Sequence, residues 1–324
     1  MNAIERLRDK ILAGDTVSKD KVYDLIEIEE DINELFCAAD KIRKRFKGDL
    51  IDLCSVVNAK SGICLENCSF CAQSSISTAF IEKYNLIPIE KIIDAARDAM
   101  KNGAMRFCIS TSGRGIENEE ELKNICEGIR RIKDLGLYSC ATLGILSNEE
   151  FIALKEAGLD RFHHNLETSE SFFPEICTTH RWKEKVETII RAKEAGLSVC
   201  CGGILGMGED IRDRIDMAFA IHGLDIDSVP LNFLMPIQGT PLEHITPLSP
   251  METLKTIAIF RFILPDKDIR ICGGRHTFLR DLHSFIFYCG ADSMMIGNYL
   301  TLMGRDPVRD IQMIKDFGYN IREI

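Results

Sequence analysis

From residue 50 onward, short apolar runs of strand length alternate with longer stretches in which apolar residues recur every three to four positions. The short runs cover 50–57, 105–111, 137–143, 161–167, 198–205, 228–235, 269–273 and 293–296. Between them helical spacing holds over 89–102, 118–135, 148–157, 182–195 and 250–264. The pentapeptide Lys-Glu-Ala-Gly-Leu occurs at 155–159 and again at 193–197, each time where a helical pattern gives way to a strand and glycine supplies the stop. Strand and helix alternating eight times with short connections predict parallel strands with helices outside, an α/β chain folded as a complete (βα)8 TIM barrel. A helical pattern over about residues 3–46 precedes it, so the chain reads as an N-terminal helical extension, 1–48, and a barrel, 49–324. No longer repeat, low-complexity segment or linker divides it further.

In such a barrel alternate strand residues face inward, and the active site lies at the C-terminal ends of the strands. Alternation puts Arg106 with Cys108, Cys140 with Thr142, His163 with Asn165 and Glu167, Cys200 with Gly202, and Arg270 with Cys272 on shared faces. Four different strands thus carry a cysteine on a face that also carries polar residues, which a purely apolar core does not require.

Composition narrows the setting. With 45% hydrophobic residues among 324, the chain can fill a large core, and a net charge of −10 disfavours nucleic acid as a partner. No apolar run reaches membrane length and the N-terminus is charged and amphipathic, so a cytoplasmic protein is expected. A reducing compartment makes thirteen cysteines notable, since structural disulfides are disfavoured there. Cys37, Cys54, Cys126, Cys177 and Cys289 each stand alone in an apolar pattern and read as small buried hydrophobes.

Cys64, Cys68 and Cys71 are different: three thiols fall within eight residues, in the loop that follows the first strand. Zinc usually takes two ligand pairs, whereas three thiolates in Cys-x3-Cys-x2-Cys spacing can hold three irons of a cubane cluster and leave the fourth open. Phe70 stands next to Cys71, where an aromatic ring can cover a cluster or a planar ligand, or simply pack.

The loop motif, with Phe70, resembles the signature of the radical S-adenosylmethionine enzymes. Gly-Gly-Ile-Leu-Gly-Met-Gly-Glu at 202–209 is similar to the same family's segment after the fifth strand, in which Ile204 would pack on adenine. Within the family the resemblance is closer to the sulfur-inserting members that convert dethiobiotin to biotin. It is carried by "ENCSFCAQSS", "RFC" at 106–108, "CATLG" at 140–144, "HHNLETS" at 163–169, "VCCGGILGMGE" at 199–209, "SVPLNFL" at 228–234 and "IRICGGR" at 269–275.

That resemblance implies a 4Fe–4S cluster on Cys64, Cys68 and Cys71 that binds S-adenosylmethionine. It also implies an auxiliary iron–sulfur cluster held by Cys108, Cys140, Cys200 and Arg270, as sulfur source. Cys272 stands where these members commonly carry serine. A fourth thiolate there would suit a four-iron auxiliary cluster rather than a 2Fe–2S one, so Arg270 and Cys272 are alternative fourth ligands. Asn165 and Asn232 would hold substrate, Asn165 and Glu167 the cofactor, with no acid or base catalyst; His163 and His164 are read as core histidines. A reducing donor such as flavodoxin or ferredoxin and a homodimer are implied as well.

The chain departs from the pattern at Leu65, at Asn67, and in Phe-His-His-Asn-Leu-Glu at 162–167, a form also seen in relatives that assemble the hydrogenase active site or rearrange lysine. A radical enzyme of those types without sulfur insertion is therefore the second reading, and a non-catalytic iron–sulfur carrier the third. The strand cysteines favour the first over the second, and the polar strand ends favour an enzyme over a carrier.

Overall fold

The computed structural model describes residues 2–26 and 32–323. Three helices come first: α1 (Ala3–Leu12), α2 (Lys19–Ile26) and α3 (Ile32–Lys47). Residues 27–31, inside the expected helical extension, lie outside the described residues. The chain then runs β1 (Leu50–Lys60), α4 (Ile89–Lys101), β2 (Arg106–Thr111), α5 (Glu119–Asp134), β3 (Tyr138–Thr142), α6 (Asn148–Glu156) and β4 (Arg161–His163). After it come α7 (Phe173–Ile176), α8 (Trp182–Glu194), β5 (Ser198–Cys200), β6 (Gly203–Leu205), α9 (Ile211–Gly223), β7 (Ser228–Phe233), α10 (Pro250–Ile263) and β8 (Asp268–Ile271). The last elements are α11 (Arg275–Leu279), β9 (Ser293–Met295), α12 (Pro307–Asp316) and β10 (Asn320–Ile321).

All pairings between the named strands are parallel, and β9 pairs with β1 through Asp52 opposite Ser293, closing an eight-stave barrel. β10 lies outside the ring, against the start of β1. The helices start where the sequence supplies caps. Asn118 accepts from the Glu121 amide at the head of α5, and Asp210 accepts from the Arg212 and Asp213 amides at the head of α9. Their apolar stripes pack on the staves, as when Ile125, Ile129 and Ile132 of α5 join the core that holds Phe107 and Ile109 of β2. No helix among the described residues is long and apolar enough to cross a membrane.

Two staves differ from the continuous strands expected. The fifth is split into β5 and β6, because Pro230 of β7 has no N–H to offer the ladder there and β7 presses close. A Cβ on Gly202 would stand 1.9 Å from the Pro230 carbonyl oxygen, so only glycine fits. The fourth ends at His163 and not at Glu167: the Asn165 side chain takes over, its Oδ1 accepting from the Gly202 amide at 3.1 Å, and Glu167 turns with φ +73°.

Candidate functional site

The C-terminal ends of the staves and the loop after β1 enclose one cavity of about 440 Å³. Every site residue expected from the sequence lines it: Cys64, Cys68, Phe70, Cys71, Cys108, Cys140, Asn165, Glu167, Cys200, Ile204, Asn232, Arg270 and Cys272. The first, second, third, fifth and eighth strands deliver thiols to its inner part, and the loop delivers three at the mouth.

In the inner part burial controls the chemistry. It pushes the Cys54 thiol up to about 11, raises Cys200, and raises Cys272 well above the usual thiol value. Cys108 and Cys140 stand opposite each other on β2 and β3, and their interaction raises the Cys108 thiol and lowers that of Cys140. Arg270 is committed elsewhere. Its Nη2 lies 2.5 Å from Asp52 Oδ1, and its Nη1 donates to the carbonyls of Asp52 and Met294 at 3.2 Å each. Around these thiols the buried Arg106 Nε, Arg161 Nη1, Ser228 Oγ and Ser293 Oγ have no hydrogen-bond partner among the described residues. Several buried thiols, beside donors that make no hydrogen bond, form the donor set that a thiolate-ligated, negatively charged metal group fits. Cys54 corrects the sequence reading. It was expected as an isolated core residue, yet it faces inward on β1, lines the cavity and interacts with Arg270 and Cys200.

At the mouth the loop is pinned by its own polar groups. The Gly62 amide donates to Gln73 Oε1 at 2.9 Å, the Ser75 amide to the Glu66 carbonyl at 2.9 Å, and the Cys71 amide to the Cys68 carbonyl at 3.2 Å. Phe70 and Ile204 pack into one apolar cluster with Phe173, Ile176 and Leu234, roofing the cavity on the side of Cys68. Ile204 is held there because Glu209 accepts from the Gly206 and Met207 amides at 2.8 and 2.7 Å and is itself paired with Arg214 at 2.7 Å. Asn232 bridges two strand ends, donating to the Gly203 carbonyl at 3.3 Å and accepting from the Gly273 amide at 3.0 Å. Asn165 Nδ2 reaches Glu167 Oε2 at 3.3 Å.

Sequence reasoning did not find Glu66, Cys177 and His180. Cys177, expected as an apolar core residue, is buried in polar company: its Sγ lies 3.8 Å from Cys68 Sγ and 3.3 Å from His180 Nδ1. The signal available was the Cys-x2-His spacing of 177–180, which by itself does not say what it faces. Cys37 is corrected too, since it is exposed; α3 buries Leu35, Phe36, Ala38 and Ala39 and turns position 37 outward. Cys126 and Cys289 are buried as expected.

A closed parallel barrel with three cysteines on the loop after its first strand defines the class. The profile of the radical S-adenosylmethionine superfamily matches residues 59–221, and that of the Biotin and Thiamin Synthesis associated domain matches residues 230–320. The structure resembles methylornithine synthase (PylB), with a TM-score of 0.85, 21% identity, and 98% of this chain and 97% of that one covered. At that identity the likeness speaks for the fold. The sequence is 49% identical to the biotin synthase of Geobacter sulfurreducens, covering 100% of this chain and 99% of that one. It is 50% identical to the biotin synthase of Geotalea daltonii, over 98% and 97%. The chain belongs to the biotin synthase family of radical S-adenosylmethionine enzymes.

Proposed function

We propose that this chain converts dethiobiotin to biotin by radical sulfur insertion. The observation that carries the reading is a single cavity with thiols in two places, three at the mouth and a separate set inside the barrel, in a chain of this family. When bound, the iron–sulfur clusters supply a low-potential electron and the sulfide, and S-adenosylmethionine supplies the hydrogen-abstracting radical. Cys64, Cys68 and Cys71 hold the 4Fe–4S cluster, and Cys108, Cys140 and Cys200 hold the auxiliary one. For the fourth auxiliary ligand, the engagement of Arg270 with Asp52 and two carbonyls favours Cys272 and leaves the guanidinium as a neighbouring cation.

The remaining residues position and shield. Phe70 and Ile204 give the cofactor's adenine an apolar wall. Glu167 and Asn165 offer polar contacts to the cofactor, and Asn232, whose amide already bridges two strand ends, offers a fixed partner to the substrate's ureido ring. None of these moves a proton; they would orient the cofactor and substrate and exclude water from the cavity. The same reading takes residues 1–48 as a helical extension and 49–324 as the barrel, with three helices before β1 in support. A cytoplasmic homodimer reduced by a flavodoxin or ferredoxin completes it.

The test is anaerobic reconstitution with iron and sulfide, followed by incubation with S-adenosylmethionine, a chemical reductant and dethiobiotin. Biotin together with 5′-deoxyadenosine is expected. Deoxyadenosine without biotin would overturn sulfur insertion and point to a mutase-type or maturase-type enzyme.

A further inference from the structure

A second donor set touches the loop at Cys68. The short helix α7 ends at Cys177, and the segment after it is tied down to the loop: the Thr178 and Thr179 amides donate to Asn67 Oδ1 at 2.9 and 3.2 Å, and the Ser69 amide to the Ile176 carbonyl at 2.9 Å. His180 is fixed from the other side by the edge of Phe173, with ring centroids 5.5 Å apart. Cys177 and His180 are only 4% and 8% exposed. The ligand atoms of Cys68, Cys177 and His180 all lie within 4.8 Å of one another.

The two edges at Cys177 match those of a tetrahedral ion, and the third, from Cys68 to His180, is within 4.8 Å. With metal–sulfur bonds of about 2.3 Å and metal–nitrogen bonds of about 2.0–2.1 Å, the sulfur–sulfur edge is about 3.8 Å and the sulfur–nitrogen edge about 3.5 Å. The observed separations are 3.8 Å between the two sulfurs and 3.3 Å from Cys177 Sγ to His180 Nδ1. Glu66 Oε2 lies 2.5 Å from the same nitrogen and beside Thr179 Oγ1, in position for the fourth corner after backing away by about 1 Å.

We infer that the cluster-free protein binds one thiophilic divalent cation of the zinc class through Cys68, Cys177 and His180, with Glu66 as the oxygen donor. Coordination releases the two thiol protons to the buffer, shifts the His180 proton from Nδ1, where it now faces Glu66, to Nε2, and changes no oxidation state. Because Cys68 belongs to both donor sets, this ion and the loop cluster exclude each other, so the cation holds the empty loop in order and must leave before the cluster loads. The site itself stands on geometry. Only the exclusion rests on reading Cys68 as a cluster ligand, and the two are tested separately.

The site is tested by titrating the reduced, cluster-free full-length protein anaerobically with Co2+, whose tetrahedral thiolate complexes show visible d–d and near-ultraviolet charge-transfer bands. Cys177→Ser and His180→Gln are each expected to lose one tightly bound equivalent, weakening its affinity by at least about tenfold. Cys64→Ser and Cys71→Ser are expected to keep it, and circular dichroism checks that each variant is folded. Should the cobalt bound be unchanged in Cys177→Ser, or the tetrahedral signal vanish in Cys71→Ser, the ion sits on the loop thiols and the site is overturned. For the exclusion, Zn2+-loaded protein should take up iron at the loop at least about tenfold more slowly than metal-free protein, with a chelator restoring the rate. Equal rates would overturn the exclusion while leaving the cobalt result to stand.

Discussion

Three thiolates separated by three and two residues have little structural reason to exist in a loop, and each is expected to be indispensable. Cys64→Ala, Cys68→Ala or Cys71→Ala should abolish reductive cleavage of S-adenosylmethionine, because losing a thiolate releases an iron and with it the redox centre. Retained deoxyadenosine formation in any of them would remove the loop from the cofactor site. Asn232→Ala is expected to weaken dethiobiotin binding by about 1–3 kcal/mol, the cost of leaving a buried partner unsatisfied, while cofactor cleavage without substrate persists. Isothermal titration on the reconstituted enzyme measures it, and unchanged affinity would argue against a substrate contact at Asn232. Cys272 can be decided by counting metal. If it is the fourth auxiliary ligand, reconstituted protein holds close to eight irons in all on the order of two four-iron clusters, and Cys272→Ser lowers the count without touching the loop cluster. A two-iron Mössbauer signature indifferent to Cys272→Ser would return the site to Arg270.

Between elements, two close contacts draw the barrel's staves together. β5 and β6 are separated by Gly202 against Pro230, so Gly202→Ala forces backbone apart and should cost about 1–3 kcal/mol, seen as a lower denaturation midpoint with unchanged slope. β1 and β8, the first and seventh staves, are joined past β9 by the buried Asp52–Arg270 pair, 2.5 Å apart. Removing only the carboxylate strands a buried guanidinium, and Asp52→Ala should destabilise by about 3–5 kcal/mol in urea unfolding. A loss under about 1 kcal/mol would mean the cavity's thiols, not Asp52, compensate the arginine.

For the molecule as a whole, pH and sequence both act through what the fold buries. Burial holds His164 well below its ordinary pKa of 6.5, and burial, then Arg275 and Arg305, hold His283 at about 2. Both stay neutral when folded but protonate once unfolded, so their contribution to stability is complete above about pH 6.5 and declines as pH falls below it. Melting of the cluster-free protein should therefore drop between pH 7 and 5.5, before most carboxylates titrate; a flat profile over that interval would contradict their burial. The alternation of apolar positions by itself determined the eight staves, the loop that opens on their C-terminal ends, and the inward faces of Cys108, Cys140, Cys200, Arg270 and Cys272. A two-residue or 3.6-residue period is a local property, and the parallel barrel converts it directly into inside and outside. Only the tertiary structure decided that Cys54 joins those thiols, that Arg270 is spent on Asp52, and that Cys177 meets Cys68 from 109 residues away and brings His180 with it. Periodicity says which face a residue takes; which loop crosses to meet that face depends on closure of the ring and on the particular polar groups of Glu66 and Asn67 that pin the crossing, and no local pattern encodes them.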